Sequence, residues 1–124
     1  MRLKFLSFVL ILPLFVFVGA GCSALKQGQN NAVVEPQGNI LFVGEGCPHC
    51  EKVEEFIDQN KVKDKVSFVM LEVYKNKDNA ALMAKKAGLC GIPLTGMGVP
   101  FLWDGSKCLV GDIDIINFFQ EKIK

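Results

Sequence analysis

The sequence predicts one α/β sandwich, a mixed β-sheet covered by helices, with elements in the order βαβαββα. Three observations carry that prediction. Apolar runs of strand length alternate with segments of helical period from Asn39 onward. An Asp-Gly pair sits between two apolar runs, as a hairpin turn does. Neither a repeat nor a second core is present, and the crossovers between strands require helices on the sheet faces.

Taken in order, Ile40-Leu41-Phe42-Val43 is a short, partly β-branched strand, and Gly44-Glu45-Gly46 breaks it. Val53, Phe56 and Ile57 then recur at helical spacing, which predicts a helix running to about Asn60 with Cys47 at its N-terminus and Cys50 in its first turn. Lys61 to Lys65 is a polar connection. Val66 to Leu71 is a second strand, apolar enough to be buried on both faces. Asn79 to Ala87 reads as a helix closed by Gly88. Phe101-Leu102-Trp103 and Lys107-Cys108-Leu109-Val110 form a hairpin around Asp104-Gly105-Ser106. Asp112 caps a last helix whose Ile113, Ile115, Ile116, Phe118, Phe119 and Ile123 include a core-facing stripe.

The motif Cys47-Pro48-His49-Cys50 carries the chemistry. Two thiols one helical turn apart at a strand-to-helix junction are the layout of a thiol–disulfide exchange site. Only a thiolate attacks a disulfide, and the unpaired N–H groups at a helix N-terminus stabilise that anion. Pro48 suits the first turn, where no N–H is needed. His49, between the cysteines, is placed to donate to or charge-stabilise the Cys47 thiolate, which makes the disulfide a stronger oxidant. It also fits an ordinary exposed polar residue. Other readings of the pair stay open: an inert structural disulfide, or half of a zinc site that Cys90 and Cys108 would have to complete, since the chain's one histidine already lies inside the motif.

On these residues the segment Asn39 to Lys124 resembles the thioredoxin fold, and its compact order is most similar to the glutaredoxin subgroup. The resemblance implies a cis-proline at Pro100, in Gly98-Val99-Pro100, facing the cysteine pair; a proline merely tolerated at a strand start is the alternative. It implies that the Val99 backbone offers its N–H and C=O to an extended substrate segment. Gly111-Asp112 with Asp114 is similar to the glutathione-contacting turn of glutaredoxins, beside the plainer reading of Asp112 as a helix cap. The chain departs from the family between Gly88 and Pro100, a longer, glycine-rich link. Cys90 there and Cys108 on the hairpin are spare thiols. In an oxidising compartment they would pair across 18 residues and stabilise the fold by roughly 3 kcal/mol. Two small buried residues, or a second redox pair, are the alternatives.

The N-terminus sets the expected compartment. Arg2 and Lys4 precede an apolar stretch from Phe5 to Val18, then Gly19-Ala20-Gly21-Cys22. A positive start, an apolar centre and a small-residue exit read as a secretory signal over residues 1–21. The stretch is shorter than the roughly 20 residues of a comfortable span, so an uncleaved anchor is the lesser reading. Cleavage after Ala20 is one exit. The other is a bacterial lipobox with Cys22 lipidated, although Gly19 stands where lipoboxes usually carry an aliphatic residue. Residues 22–38 are polar and lack an apolar period, as in a flexible tether. Without Arg2 and Lys4 the remaining chain has twelve basic against thirteen acidic residues, a net charge of −1. No basic patch argues for nucleic acid.

The sequence therefore leads to an extracytoplasmic thiol–disulfide oxidoreductase, in the periplasm or at the cell surface and tethered to a membrane, with one domain over residues 39–124. Cys47 is the expected nucleophile and Cys50 the resolving thiol. His49 and Pro48 tune the pair, while Val99 and Pro100 hold the substrate. Protein thiols or disulfides and a redox partner are the expected partners, with glutathione as a candidate co-substrate. No metal or organic cofactor is implied, and a monomer is expected. A soft-metal module presenting Cys47, Cys50 and His49 to copper or zinc is the alternative from another class.

Overall fold

The computed structural model describes residues 34–124. The signal-like segment 1–21, Cys22 and residues 22–33 of the tether segment lie outside the described residues. The elements are β1 (Asn39–Val43), α1 (Pro48–Gln59), a 3₁₀ turn (Val62–Asp64), β2 (Phe68–Glu72), α2 (Lys77–Leu89), a second 3₁₀ turn (Leu94–Gly96), β3 (Phe101–Trp103), β4 (Cys108–Val110) and α3 (Asp112–Lys122). The sheet order is β2-β1-β3-β4, with β1 parallel to β2 and antiparallel to β3, and β4 antiparallel to β3. Leu41 stands opposite Met70 on one side and Leu102 on the other.

Alternation along β1 divides the core into two layers, because successive side chains leave a strand on opposite faces. Leu41 and Val43 pack with Val53 and Ile57 of α1, Leu102 of β3, and Ile115 and Phe119 of α3. Ile40 and Phe42 pack on the other face with Phe101 of β3 and with Met83 and Ala87 of α2. Each fully buried large side chain contributes about 1.5–3 kcal/mol relative to exposure. The result is a three-layer α/β sandwich of thioredoxin type, a single domain with α1 and α3 on one face of the sheet and α2 on the other. Among the described residues, no helix is long and apolar enough to cross a membrane.

Four local expectations are corrected. The second strand begins at Phe68 and none of its residues is fully buried, because it forms a sheet edge with only β1 beside it. α2 starts at Lys77, where the Asn76 side chain accepts from the Asp78 and Asn79 amides. Gly88 lies inside that helix, which ends at Leu89 with Cys90 as its C-cap. The N-cap of α3 is Gly111, so Asp112 is the first helical residue and its carboxylate is directed elsewhere. Within the segment read as tether, Glu35 pairs with Lys85 and Lys86 of α2, which fastens that stretch to the domain. Both lysines hold its carboxyl below the usual range, Lys85 the more strongly.

Candidate active site

The turn between β1 and α1 is built so that Cys47 begins a helix at the end of a buried strand. The Cys47 amide donates to the Gly44 carbonyl at 3.2 Å, closing the turn. A Cβ on Gly44 would meet the Tyr74 ring at 2.4 Å, so a side chain there would turn the exposed Tyr74 ring, on the loop after β2, away from the β1–α1 turn. Glu72 fastens the same two loops: its carboxylate accepts from the Tyr74 amide at 2.7 Å, the Lys75 amide at 2.9 Å and the Glu45 amide at 3.4 Å. Those bonds, the one from Lys75 foremost, hold the Glu72 carboxyl below its ordinary range.

Cys47 is the N-cap of α1 and Pro48 its first helical residue. Cys47 Sγ occupies the place a capping oxygen normally takes and accepts from the Cys50 amide at 3.3 Å. A sulfur so placed faces unpaired helix N–H groups, the environment a thiolate requires. As a thiol the same atom donates to the Val99 carbonyl at 3.6 Å. Both cysteines are free thiols, but their settings differ: Cys47 retains 9 % of its surface and Cys50 only 1 %. Burial, and secondly the hydrogen bond with Cys47, push the Cys50 thiol up to about 12. One sulfur therefore lies at the surface edge and its neighbour is held protonated beneath it.

The Val99–Pro100 peptide bond is cis, and Pro100 is fully buried at the start of β3. Its carbonyl accepts from the Gly111 amide at 2.9 Å. Gly111 has φ of 94°, a backbone that favours glycine, and through it the start of α3 is drawn up to the cysteine turn. Asp112 there accepts from His49 Nδ1 at 3.0 Å and from Lys52 Nζ at 3.2 Å. Lys52 first, then its own amide and His49, hold the Asp112 carboxyl below its ordinary range against the opposing effect of burial. An ionised carboxylate only accepts, so the hydrogen of this contact is carried by His49 Nδ1.

Cys47, Pro48, His49, Cys50, Val99, Pro100 and Asp112 thus converge on one spot. Cys90 and Cys108 do not join it. They are bonded to each other with Cα atoms 6.2 Å apart, tying the end of α2 to β4, which removes them as partners in a four-sulfur zinc site. Among the described residues, no group of three or more His, Cys, Asp and Glu side chains is arranged to hold a metal ion. Cys22 lies outside the described residues. Lys52 and Glu72 were not singled out from sequence. The spacing of His49 and Lys52 on one helix face was a signal for the first, whereas nothing local marked the second.

The concavities at Lys63–Phe68, between β4 and α3, and beside α2 contain none of the residues Cys47 to Cys50.

No family model matches this chain, and no curated protein matches it. Among solved structures it is similar to oxidized glutaredoxin 2 from Chlamydomonas reinhardtii, at 21 % identity over 68 % of this chain and 72 % of that one, with a TM-score of 0.47. It is similar to wheat glutaredoxin at 21 % identity over 70 % and 75 %, TM-score 0.46. A mutated buckwheat glutaredoxin aligns at 18 % identity over 68 % and 78 %, TM-score 0.46. The fold of this chain is defined by its own element and strand order. Fold and site together make it a thioredoxin-like domain with a CxxC pair at the start of its first helix.

Proposed function

We propose that this protein is a thiol–disulfide oxidoreductase that exchanges electrons with protein disulfides outside the cytoplasm, through Cys47 and Cys50. The observation that carries the reading is the unequal pair: Cys47 Sγ caps α1 and accepts from the Cys50 amide, while the Cys50 thiol is buried and pushed up to about 12.

In the reducing direction, the Cys47 thiolate attacks one sulfur of a substrate disulfide. A mixed disulfide forms and the first substrate thiolate leaves. Cys50 then attacks the Cys47 sulfur, giving the Cys47–Cys50 disulfide and releasing the second substrate thiolate. The released thiolates take up the two protons that the cysteines give up, and two electrons pass to the substrate. Cys50 is the slower to ionise, chiefly because it is buried. Part of its barrier comes from Cys47, and that part falls once the Cys47 sulfur is bound in the mixed disulfide. The oxidising direction is the same sequence reversed.

Val99 lies beside the nucleophile with its carbonyl 3.6 Å from Cys47 Sγ. An extended substrate segment pairing with the Val99 backbone would present its disulfide to that sulfur. Pairing of that kind uses main-chain hydrogen bonds and so suits a peptide segment. Glutathione is a candidate co-substrate, and no resident cofactor is required because the electrons reside in sulfur. The Cys90–Cys108 bond supports an oxidising compartment, as does the signal-like N-terminus with Cys22 as lipid acceptor.

Turnover of an insulin disulfide tests the reading. Wild type is expected to catalyse it in the presence of dithiothreitol. Cys47→Ser is expected to abolish it, and undiminished turnover in that variant would reject the proposal.

A further inference from the structure

Two basic side chains stand near the start of α1, His49 and Lys52, and neither is a hydrogen-bond partner of Cys47 Sγ. The partners of Cys47 Sγ are the Cys50 amide and the Val99 carbonyl. His49 and Lys52 are three residues apart on one helix face and both turn to the same acceptor, Asp112 of α3, one to each carboxylate oxygen. That carboxylate is only 14 % exposed, against 62 % for His49 and 59 % for Lys52. The other charges of this region do not compete for it. Glu45 pairs with Lys75, and Glu51 and Asp114 are acidic residues in the first turns of α1 and α3.

We propose that Asp112 is a positioning residue for the dithiol: by engaging Lys52 together with His49 it offsets the positive charge that Lys52 brings to the start of α1, and so sets the Cys47–Cys50 reduction potential below the value that an unopposed Lys52 would give. This rests on the exchange function proposed above. The physical basis is the charge on the reduced pair. The thiolate form of a reduced cysteine is an anion, nearby positive charge stabilises it, and whatever neutralises that positive charge disfavours the reduced form. With both oxygens already engaged, Asp112 acts through His49 and Lys52 and does not itself touch the reacting atoms.

The two ends of the Lys52–Asp112 bridge give the test its sign. Asp112→Asn and Lys52→Gln break the same contact, so a merely structural role moves both variants alike. A role through charge moves them in opposite directions.

The full chain is equilibrated at about pH 9.5, where an exposed thiol ionises, and at low salt with reduced and oxidised dithiothreitol, and the Cys47–Cys50 peptide is followed by mass spectrometry. Asp112→Asn is expected to raise the equilibrium constant for reduction about two- to fivefold, the range of an exposed ion pair. Lys52→Gln is expected to lower it by a similar factor. The shifts are about 10–20 mV each, since tenfold is 29.6 mV for a two-electron couple. Both should shrink in 1 M salt, where screening acts over about 3 Å. Asp112→Glu should restore the wild-type value. Should Asp112→Asn fail to fold, Asp112→Ser takes its place beside Lys52→Gln, so that the two signs are still compared.

Shifts of the same sign, or none, overturn this inference while leaving the exchange function standing. If Cys47 and Cys50 of the wild type form no disulfide at any dithiothreitol ratio, the exchange function falls, and this inference with it.

Discussion

The Cys50 amide donates to Cys47 Sγ across 3.3 Å, while Cys50 itself is sealed in the core with 1 % of its surface exposed. One residue thus supplies both the hydrogen bond that supports the nucleophile and the protected thiol that follows it. Two sulfurs with the same covalent chemistry are made unequal by a helix start and by burial.

That inequality predicts selective labelling. With the reduced protein at neutral pH, iodoacetamide is expected to modify Cys47 well before Cys50, as read by peptide mass spectrometry. Unfolding the chain should make the two rates converge. Equal rates in the folded protein would contradict the assignment of roles.

The position of the Cys50 thiol also predicts a pH dependence of stability. The folded state holds that proton more tightly than the unfolded chain, whose thiol ionises near 9.0. The associated stability is complete below pH 9 and is lost as pH rises toward about 12, by at most about 1.4 kcal/mol per pH unit. Denaturant unfolding of the reduced wild type should therefore weaken more steeply above pH 9 than that of reduced Cys50→Ala. Parallel curves would count against the buried thiol.

The Cys90–Cys108 bond closes the segment that carries Val99 and Pro100. Replacing both cysteines by alanine is expected to cost roughly 3 kcal/mol in denaturant unfolding, with exchange at Cys47–Cys50 retained. Exchange lost at unchanged stability would instead give this second pair a chemical role.

How much of this was legible in the sequence follows from how local each feature is. β1 and α1 were readable because an apolar run, a glycine break and a helical stripe are neighbours in the chain, and the cysteines fall on the junction. Val66 to Leu71 had the composition of a buried strand, but composition does not name neighbours. β2 lies at an edge because β3 took the other side of β1. The start of α2 was missed because Lys77 and Asp78 carry no apolar period, although Asn76 caps them. Asp112 read as a helix cap, the ordinary local role of an aspartate before an apolar helix. Its actual partners are on α1, with His49 lying 63 residues away, a distance over which sequence pattern is silent.

The N-terminal segment predicts a location. If Cys22 is the lipidated first residue, wild-type protein should fractionate with membranes, and Cys22→Ala should release it or leave its precursor uncleaved. Membrane retention with unchanged processing would point to an uncleaved anchor over Phe5 to Val18. A soluble wild type would remove the anchor altogether.

The most direct measurement of the central claim is the trapping of a mixed disulfide. In Cys50→Ser the first attack still occurs and resolution does not. Mixing that variant with a disulfide-bonded protein should therefore yield a covalent adduct, located at Cys47 by mass spectrometry, released by dithiothreitol and absent from Cys47→Ser. A folded Cys50→Ser variant with a free, alkylatable Cys47 that forms no adduct would contradict the account.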